Sequence, residues 1–481
     1  MVTVSPKHSC KTPVPQAPPE QAKKPHKISA STKYNFKGKN LTPYGGLFPV
    51  ATMLEKLGFK QLINEALSVK RIPRCMSIYE FVLAMVLSIY IGFFRLNQIR
   101  FVAQDAMLTG LLKVAQLPPQ STFWRFLASL HLGVAQQLLR VQQKMRERVW
   151  EAANVGLTSI TLDTDTTVHT LYGQQMGGRK SYNPKNKGKK SYQPILTFLA
   201  ETREYIWGEL RNGDRPDGQQ IARHLAAVFA ALPKCVAKIF ARADSGFYCW
   251  QAVQAYEKAK ARFIMVARKT PRLVEALQTA AWKPTKTDAN QQGEFRYQPE
   301  GWGQAYRFIA LRYQQEKTEE EREQYQLFAT PQYLYRVFVT NMEEAIDLLV
   351  WFYNQRAGAE NLIKEANNDA GLAAHPSRRW ATNCVHFQLS MLAYNLNCWL
   401  MLFNREEEGK AEQLRHTTLA TARLRFLFVA ARIWKHNGRS GISYSDQYQE
   451  KGLFQRLIER LRSIRFDTGN FLPVLATSLS G

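Results

Sequence analysis

At 481 residues the chain is long enough for two or three domains around a sizeable core, and 45% hydrophobic residues mark it as globular. A formal net charge of +26 exceeds what solubility requires and points to a polyanionic partner, nucleic acid ahead of an anionic membrane. The apolar runs 81–94 and 387–403 are too short, or too punctuated by Gln388, Asn395 and Asn397, for a bilayer span. No charged n-region followed by an apolar stretch opens the sequence, so a cytoplasmic location is expected. Six cysteines without a Cys-x-x-Cys pair argue against a zinc ribbon and against a disulfide framework.

Residues 1–40 set eight lysines, among them Lys7, Lys23, Lys33 and Lys39, against the single acid Glu20. Such a segment cannot bury enough apolar surface to order itself. It reads either as a disordered basic arm touching phosphate without reading sequence, or as a solubilising tail.

From 41 to 155 the periodicity is helical, with helices expected over 48–57, 61–67, 77–95, 97–115 and 121–152. This is the expected DNA-binding and assembly domain. Pro118-Pro119 followed by Ser121 as N-cap predicts either a helix-turn-helix, with Ser121, Thr122 and Arg125 facing DNA, or an ordinary bundle turn.

Ser159 to Val168 alternates Ile160, Leu162, Thr164, Thr166 and Val168 with Thr161, Asp163, Asp165 and Thr167, which is the period of a strand. Asp163 and Asp165 therefore share a face, as a solvated acidic pair or as one that a cation offsets. Residues 171–190 hold four glycines and the cations Arg179, Lys180, Lys185, Lys187, Lys189 and Lys190, a mobile positive loop. Strands over 193–200 and 205–211, a helix over 217–232, a strand over 236–244, a helix over 248–261 and a strand over 262–267 follow.

That order is the order of a ribonuclease-H-like α/β core. It sets Asp163 or Asp165 beside Asp244 across one strand spacing, ~5 Å. The core is expected in two parts, 156–271 and 341–405, split by an inserted β-rich subdomain over 272–340, with 283–303 irregular and 317–323 a solvated charge run. A helix over 343–367 puts Tyr353, Arg356 and Glu360 on one face, continued by Lys364, as a surface ion-pair row or as part of a site. Residues 406–481 are expected to form a C-terminal helical region, so helical regions flank the core on both sides.

Three stretches together, Leu162-Asp-Thr-Asp-Thr-Thr167 with Tyr172-Gly173, Arg242-Ala-Asp-Ser-Gly-Phe247, and Tyr353-x2-Arg356-x3-Glu360, resemble the motifs of DDE transposases of bacterial insertion sequences. The resemblance is to the insertion sequence 1380 group, in the branch with a Tyr-x2-Arg-x3-Glu helix, and runs from about Leu41 to about Leu400.

It implies a catalytic, metal-binding triad of Asp165, Asp244 and Glu360 holding two Mg²⁺ or Mn²⁺ ions, with Tyr353, Arg356 and Lys364 handling phosphates. Related families place a Lys seven residues after the Glu; here that position is Asn367. Asp165 is nearer than Asp163 to the end of the strand where substrate enters, which leaves Asp163 a supporting part. Lys180, Lys187, Lys189 and Lys190 are candidate DNA contacts. The implied partners are double-stranded DNA, as terminal inverted repeats and target, and a second copy of the chain, because two element ends must be joined. No membrane is implied, and the location is with the nucleoid. The rivals are a ribonuclease-H-like nuclease without strand transfer and a domesticated, non-catalytic DNA-binding protein. A glycosidase with paired carboxylates leaves the charge and the basic arm unexplained.

Overall fold

The computed structural model describes residues 27–69, 76–181, 183–184, 186–314, 333–404, 417–465 and 475–476. The arm before Lys27, Lys185, the charge run 317–323 and Arg415 lie outside the described residues. The chain divides into two compact units, 1–39 and 40–481. In the first, residues 27–39 hold no helix or strand, and Lys27, Lys33, Lys37 and Lys39 are exposed.

The second unit opens with β1 (Leu41–Thr42) and six helices: α1 (Leu47–Lys56), α2 (Phe59–Ala66), α3 (Ile78–Ile91), α4 (Ala106–Leu112), α5 (Gln120–Ser129) and α6 (Gly133–Ala152). Six strands follow: β2 (Val155–Gly156), β3 (Ser159–Thr166), β4 (His169–Thr170), β5 (Ser191–Tyr192), β6 (Ile195–Leu199) and β7 (Tyr205–Glu209). Next come α7 (Gly218–Ala230), β8 (Lys238–Ala243), α8 (Trp250–Lys258), β9 (Arg262–Val266) and α9 (Pro271–Ala276). Strands β10 (Lys283–Pro284), β11 (Gln291–Tyr297), β12 (Tyr306–Gln314) and β13 (Tyr333–Thr340) lead to α10 (Ile346–Asn354), α11 (Ala357–Asp369) and α12 (Trp380–Phe403). The last elements are α13 (Leu419–Ala422), the hairpin β14 (Ala431–His436) and β15 (Arg439–Tyr444), α14 (Lys451–Arg462), and β16 (Leu475–Ala476).

The result is a mixed α/β fold on a nine-stranded sheet of order β10-β11-β12-β13-β9-β8-β3-β6-β7. β3, β8 and β9 run parallel, while β6 and β13 join them antiparallel. One apolar core packs α1–α6 and α12 on the β3-β6-β7 end; a second packs α7–α9 beneath β8, β9, β12 and β13; a third sets α10 on β9, β12 and β13.

Helix ends follow local chemistry. Ser77 and Glu80 form a reciprocal capping box at the start of α3, which stops at Gly92 in the left-handed region, φ +116°.

α12 is apolar nearly all round and buried along its length, as a helix enclosed on every side must be. Its amides have a purpose at the sheet edge. β7 is an edge strand, and the Asn395 side chain accepts from Tyr205 N (2.9 Å) and donates to Tyr205 O (2.9 Å), while Gln388 Nε2 donates to Gly208 O (2.9 Å). The helix thus closes backbone groups that would otherwise be buried without partners. Glu204, fully buried before β7, accepts from Trp150 Nε1 (2.9 Å) and Trp399 Nε1 (2.7 Å) and pairs with Arg146 Nε at 3.3 Å. Among the described residues no single helix is long and apolar enough to cross a membrane.

Several expectations differ. The helix expected over 97–115 is a 3-10 turn, Leu96–Val102, and the separate α4, because Asp105 caps a new start through Met107 N and Leu108 N. The helix expected over 121–152 breaks at Leu130, whose backbone is extended. The stretch 283–303 holds β10 and β11, and β13 pairs edge-on with β9, so the strands of 272–340 continue the same sheet. The C-terminal region contains β14–β15, turned by Asn437 and Gly438 at φ +47° and +74°. That pair suits the turn that two-residue hairpins favour.

Replacing Asn395 by Leu leaves the Tyr205 N–H buried without an acceptor. Urea unfolding should show a loss of about 1–3 kcal/mol.

Candidate active site

The site begins with register. β3 and β8 pair in parallel from Ser159↔Lys238 to Thr164↔Ala243, with Asp163 opposite Arg242. The next position on each chain is Asp165 and Asp244, so the two acids occupy equivalent places at the same ends of adjacent strands, one strand spacing apart, ~5 Å.

Asp163 is 2% exposed and held in a bidentate pair: Arg242 Nε donates to Oδ1 at 2.7 Å and Nη2 to Oδ2 at 2.8 Å. The third guanidinium nitrogen donates to Phe352 O (2.7 Å), and the group lies over the Phe352 ring at 4.9 Å. Burial pushes the Asp163 carboxyl up and Arg242 pulls it back. The pair is a structural strut whose charges are already spent on one another.

Asp165 is different. Its Oδ1 accepts from Thr166 N (2.7 Å), and its Oδ2 lies 2.8 Å from Arg356 Nη2. Burial pushes its pKa up to about 6; Arg356 opposes the rise, while Asp244 and Glu360 add to it. Asp244 Oδ1 accepts from Gly246 N (2.9 Å) and caps the short turn Ser245–Phe247. Glu360, in the first turn of α11, is 70% exposed, with Oε1 at 3.8 Å from Arg356 Nη1. Arg356 is therefore the cation that stands between Asp165 and Glu360. Burial works to discharge it, but the acids around it, Asp165 foremost, hold its pKa above the ordinary value.

Tyr353, Arg356 and Glu360 do not lie on one continuous helix: Tyr353 is in the last turn of α10, Arg356 in the connection, and Glu360 in the first turn of α11. Between α10 and α11 the backbone closes three-residue bonds, Arg356 N to Tyr353 O (2.9 Å), Gly358 N to Gln355 O (3.1 Å) and Ala359 N to Arg356 O (2.8 Å). This tightening ends one helix and starts another, and Gly358 adds no helix propensity to resist it. Tyr353 is buried against Phe338, ring centroids 4.8 Å apart, while Glu360 faces outward. Lys364 is exposed on α11.

Asn367, at the position where related families carry Lys, accepts at Oδ1 from His169 Nε2 (2.9 Å), and His169 Nδ1 lies 3.1 Å from His375 Nε2. This part-buried polar chain has no motif spacing to announce it, since His169 and His375 are 206 residues apart.

The loop 171–190 is anchored at several described residues. β4 pairs with β5, Asn183 and Asn186 both donate to Thr170 Oγ1 (3.1 Å each), and Met176 N donates to Arg378 O (2.9 Å). Gly177, at φ +81°, lies against the Trp380 ring, where no side chain fits. Lys180, Lys187, Lys189 and Lys190 remain exposed on this frame. Ser121 and Arg125 are exposed on α5, Arg125 Nη2 donating to Thr122 Oγ1 (3.1 Å). The connection from α4 to α5, Lys113–Pro119, is longer than the three- or four-residue turn of a helix-turn-helix because Pro118 and Pro119 delay the second helix.

Among the described residues no three His, Cys, Asp or Glu side chains are drawn together as a ready metal cage. The chemistry of the donor set nonetheless suits a hard divalent cation: carboxylate oxygens only, one of them destabilised by its acidic neighbours and by burial, with a guanidinium supplying the positive charge.

Two predictions follow from these groups. Asp163→Asn leaves Arg242 buried and uncompensated, so metal-free protein should lose about 3–5 kcal/mol in urea unfolding, and Asp165→Asn distinctly less. Burial also lowers the pKa of His169 to about 4, His224 to about 3, His375 to about 2 and His386 to about 4. The unfolded chain takes up these protons first. The stabilisation is complete above the ordinary histidine value of 6.5 and is lost as pH falls toward the folded values, by about 1.4 kcal/mol per pH unit for each histidine. The carboxyls raised by burial, Asp163, Asp165, Glu201 and Asp369, work the opposite way and offset part of this loss, Asp165 between 3.8 and about 6. Unfolding midpoints should therefore fall from pH 6.5 to pH 4.5, and His224→Gln should flatten the fall.

Among solved structures, the cryo-EM structure of the piggyBac transposase synaptic complex with hairpin DNA is similar over 91% of this chain and 87% of that chain, at 10% identity and a TM-score of 0.40, too loose a likeness to align site residues. No curated protein matches the chain. The family model described as transposase DDE domain group 1 matches residues 24–466. With nearly the whole sequence covered, the chain belongs to the DDE transposases of domain group 1.

Proposed function

We propose that this chain is the transposase of an insertion sequence of the 1380 group, binding terminal inverted repeats and carrying out strand cleavage and strand transfer at Asp165, Asp244 and Glu360 on a ribonuclease-H-like core. The observation that carries the reading is the equivalent placement of Asp165 and Asp244 on parallel neighbours, linked through Arg356 to Glu360. Asp165, Asp244 and Glu360 are the residues that would hold two Mg²⁺ or Mn²⁺ ions. Such ions, when bound, lower the pKa of an attacking water or 3′-hydroxyl and stabilise the leaving 3′-oxygen.

The chain's own residues do the rest. Asp163 and Arg242 fix the register of β3 against β8 and keep the acids aligned. Arg356 screens the acids from one another in the metal-free state, and its planar fork then suits a bidentate hold on the DNA phosphate. Lys180, Lys187, Lys189 and Lys190, on the anchored loop after β4, and Ser121, Thr122 and Arg125 on α5 supply backbone contacts along the duplex. Lys364 lies one turn beyond Glu360 on the same exposed side of α11. Residues 1–40 act as an arm that adds affinity without sequence preference. Two chains assemble on two element ends, in the cytoplasm with the nucleoid.

Linear DNA carrying the flanking terminal sequences, incubated with Mg²⁺ or Mn²⁺ against EDTA, tests this. Cleavage and joining are expected with metal only, and Asp165→Asn, Asp244→Asn or Glu360→Gln should each cost several kcal/mol of barrier, about a thousandfold or more in rate, with repeat binding retained. Asp163→Asn should cost less than Asp165→Asn. Cleavage without joining under every condition would leave a nuclease, and cleavage surviving all three substitutions would remove the triad. Deleting residues 1–39 should weaken binding to all sequences alike and flatten its dependence on salt.

A further inference from the structure

Between Glu412 and Asp446 the sequence holds six Arg or Lys residues and no acid. Two described members of the run are committed: Arg423 is buried on the carbonyls of Tyr90, Ile89 and Asp369, and Arg425 pairs with Glu450. Arg432, Lys435 and Arg439 are exposed on the hairpin β14–β15 and make no ion pair among the described residues.

The hairpin has two different faces. Ile433 opposite Ile442 packs on the core. On the other face the cross-strand pairs are Arg432↔Ser443, Trp434↔Gly441 and His436↔Arg439. The Trp434 ring lies across Gly441, a position where any side chain would collide with it, and is still 42% exposed. At the tip, nothing lies within 4 Å of where a Cβ on Gly438 would stand. The outcome is an outward ribbon face that carries Arg432 and Arg439 four residues apart along the strands, ~13 Å, with an aromatic ring between them. β1 pairs along the same strand, Leu41 opposite Arg432, and Asn40 O accepts from Ile433 N (2.9 Å), so the chain enters this unit at the stem of the hairpin.

We propose that β14–β15 is a further DNA-binding element, its outward face lying along the sugar-phosphate backbone of duplex DNA with Arg432 and Arg439 on phosphates and Trp434 against the sugar edge. It rests on the proposed function only in taking DNA as the partner. Two uncommitted cations without a neighbouring acid match a phosphate backbone, and the exposed Trp434 ring with the exposed Leu41 side chain is too little apolar surface for a protein interface. Contacts of this kind position the duplex without reading its sequence.

The test measures full-length, metal-free protein by fluorescence anisotropy on a duplex bearing the terminal repeat and on a duplex of scrambled sequence, across rising KCl. Replacing Arg432 and Arg439 together by Ala should reduce the slope of log affinity against log salt by about 2 and weaken both duplexes equally, because each lost phosphate contact removes about 0.9 from the slope. Arg432→Lys with Arg439→Lys should keep the slope. A second variant, Arg223→Ala with Lys258→Ala, removes the same charge from the α7–α8 side and should leave the slope unchanged.

An unchanged slope in the hairpin variant, or an equal fall in the α7–α8 variant, overturns the proposal. So does a hairpin variant that loses binding to phosphatidylserine vesicles while keeping its DNA slope, which would assign the face to an anionic membrane. Wild-type protein that binds neither duplex overturns the DNA reading itself, and this proposal with it.

Discussion

The site depends on one buried ion pair. Asp163 and Arg242 meet in a bidentate bond between the two central parallel strands, and because they are paired residues in the ladder, their bond fixes which residue of β3 faces which residue of β8. A slip of one residue would turn every side chain of β3 to the other face and separate Asp165 from Asp244. The strut also reaches α10 through Phe352, so the same guanidinium that aligns the strands anchors the helix leading to Arg356.

Two neighbouring aspartates on one strand consequently have opposite electrostatic characters. Asp163 is neutralised by a partner buried with it; Asp165 faces further acids and a single arginine drawn from another element. A carboxylate whose pKa is lifted to about 6 by burial and acidic neighbours is one whose charged form the fold leaves under-compensated. That is the electrostatic condition for taking up a cation, and it is met without three ligands being already closed into a cage. Arg356 can leave Asp165 only if another positive charge replaces it.

Much of this was legible in the residues. The alternation from Ser159 to Val168 placed Asp163 and Asp165 on one face, and strand-helix-strand order brought Asp244 beside them, because period-two burial and parallel crossovers are strong local signals. The break at Gln355–Arg356 was not legible: within Trp351 to Glu365 only Gly358 strongly disfavours a helix, and the three-residue bonds that divide α10 from α11 belong to the folded backbone. β11 was hidden because Gln291, Gln292 and Gly293 dilute its alternation, and its pairing with β12 is what orders it. Asn395 looked like an interruption in an apolar helix, whereas its amide completes the hydrogen bonding of an edge strand 190 residues away. The hairpin β14–β15 did carry a local signal, Asn437-Gly438, outweighed by the helical stretches on either side.

The central claim is that Asp165 and Asp244, not Asp163, make the cation site. Titrating Mn²⁺ into the full-length protein, followed by the paramagnetic resonance of the unbound ion, measures it without any reaction. Saturable binding should be present in the wild type and in Asp163→Asn protein that remains folded, and should be lost in Asp165→Asn and in Asp244→Asn. Mn²⁺ binding that survives both of those substitutions, or that disappears in folded Asp163→Asn alone, would contradict the account.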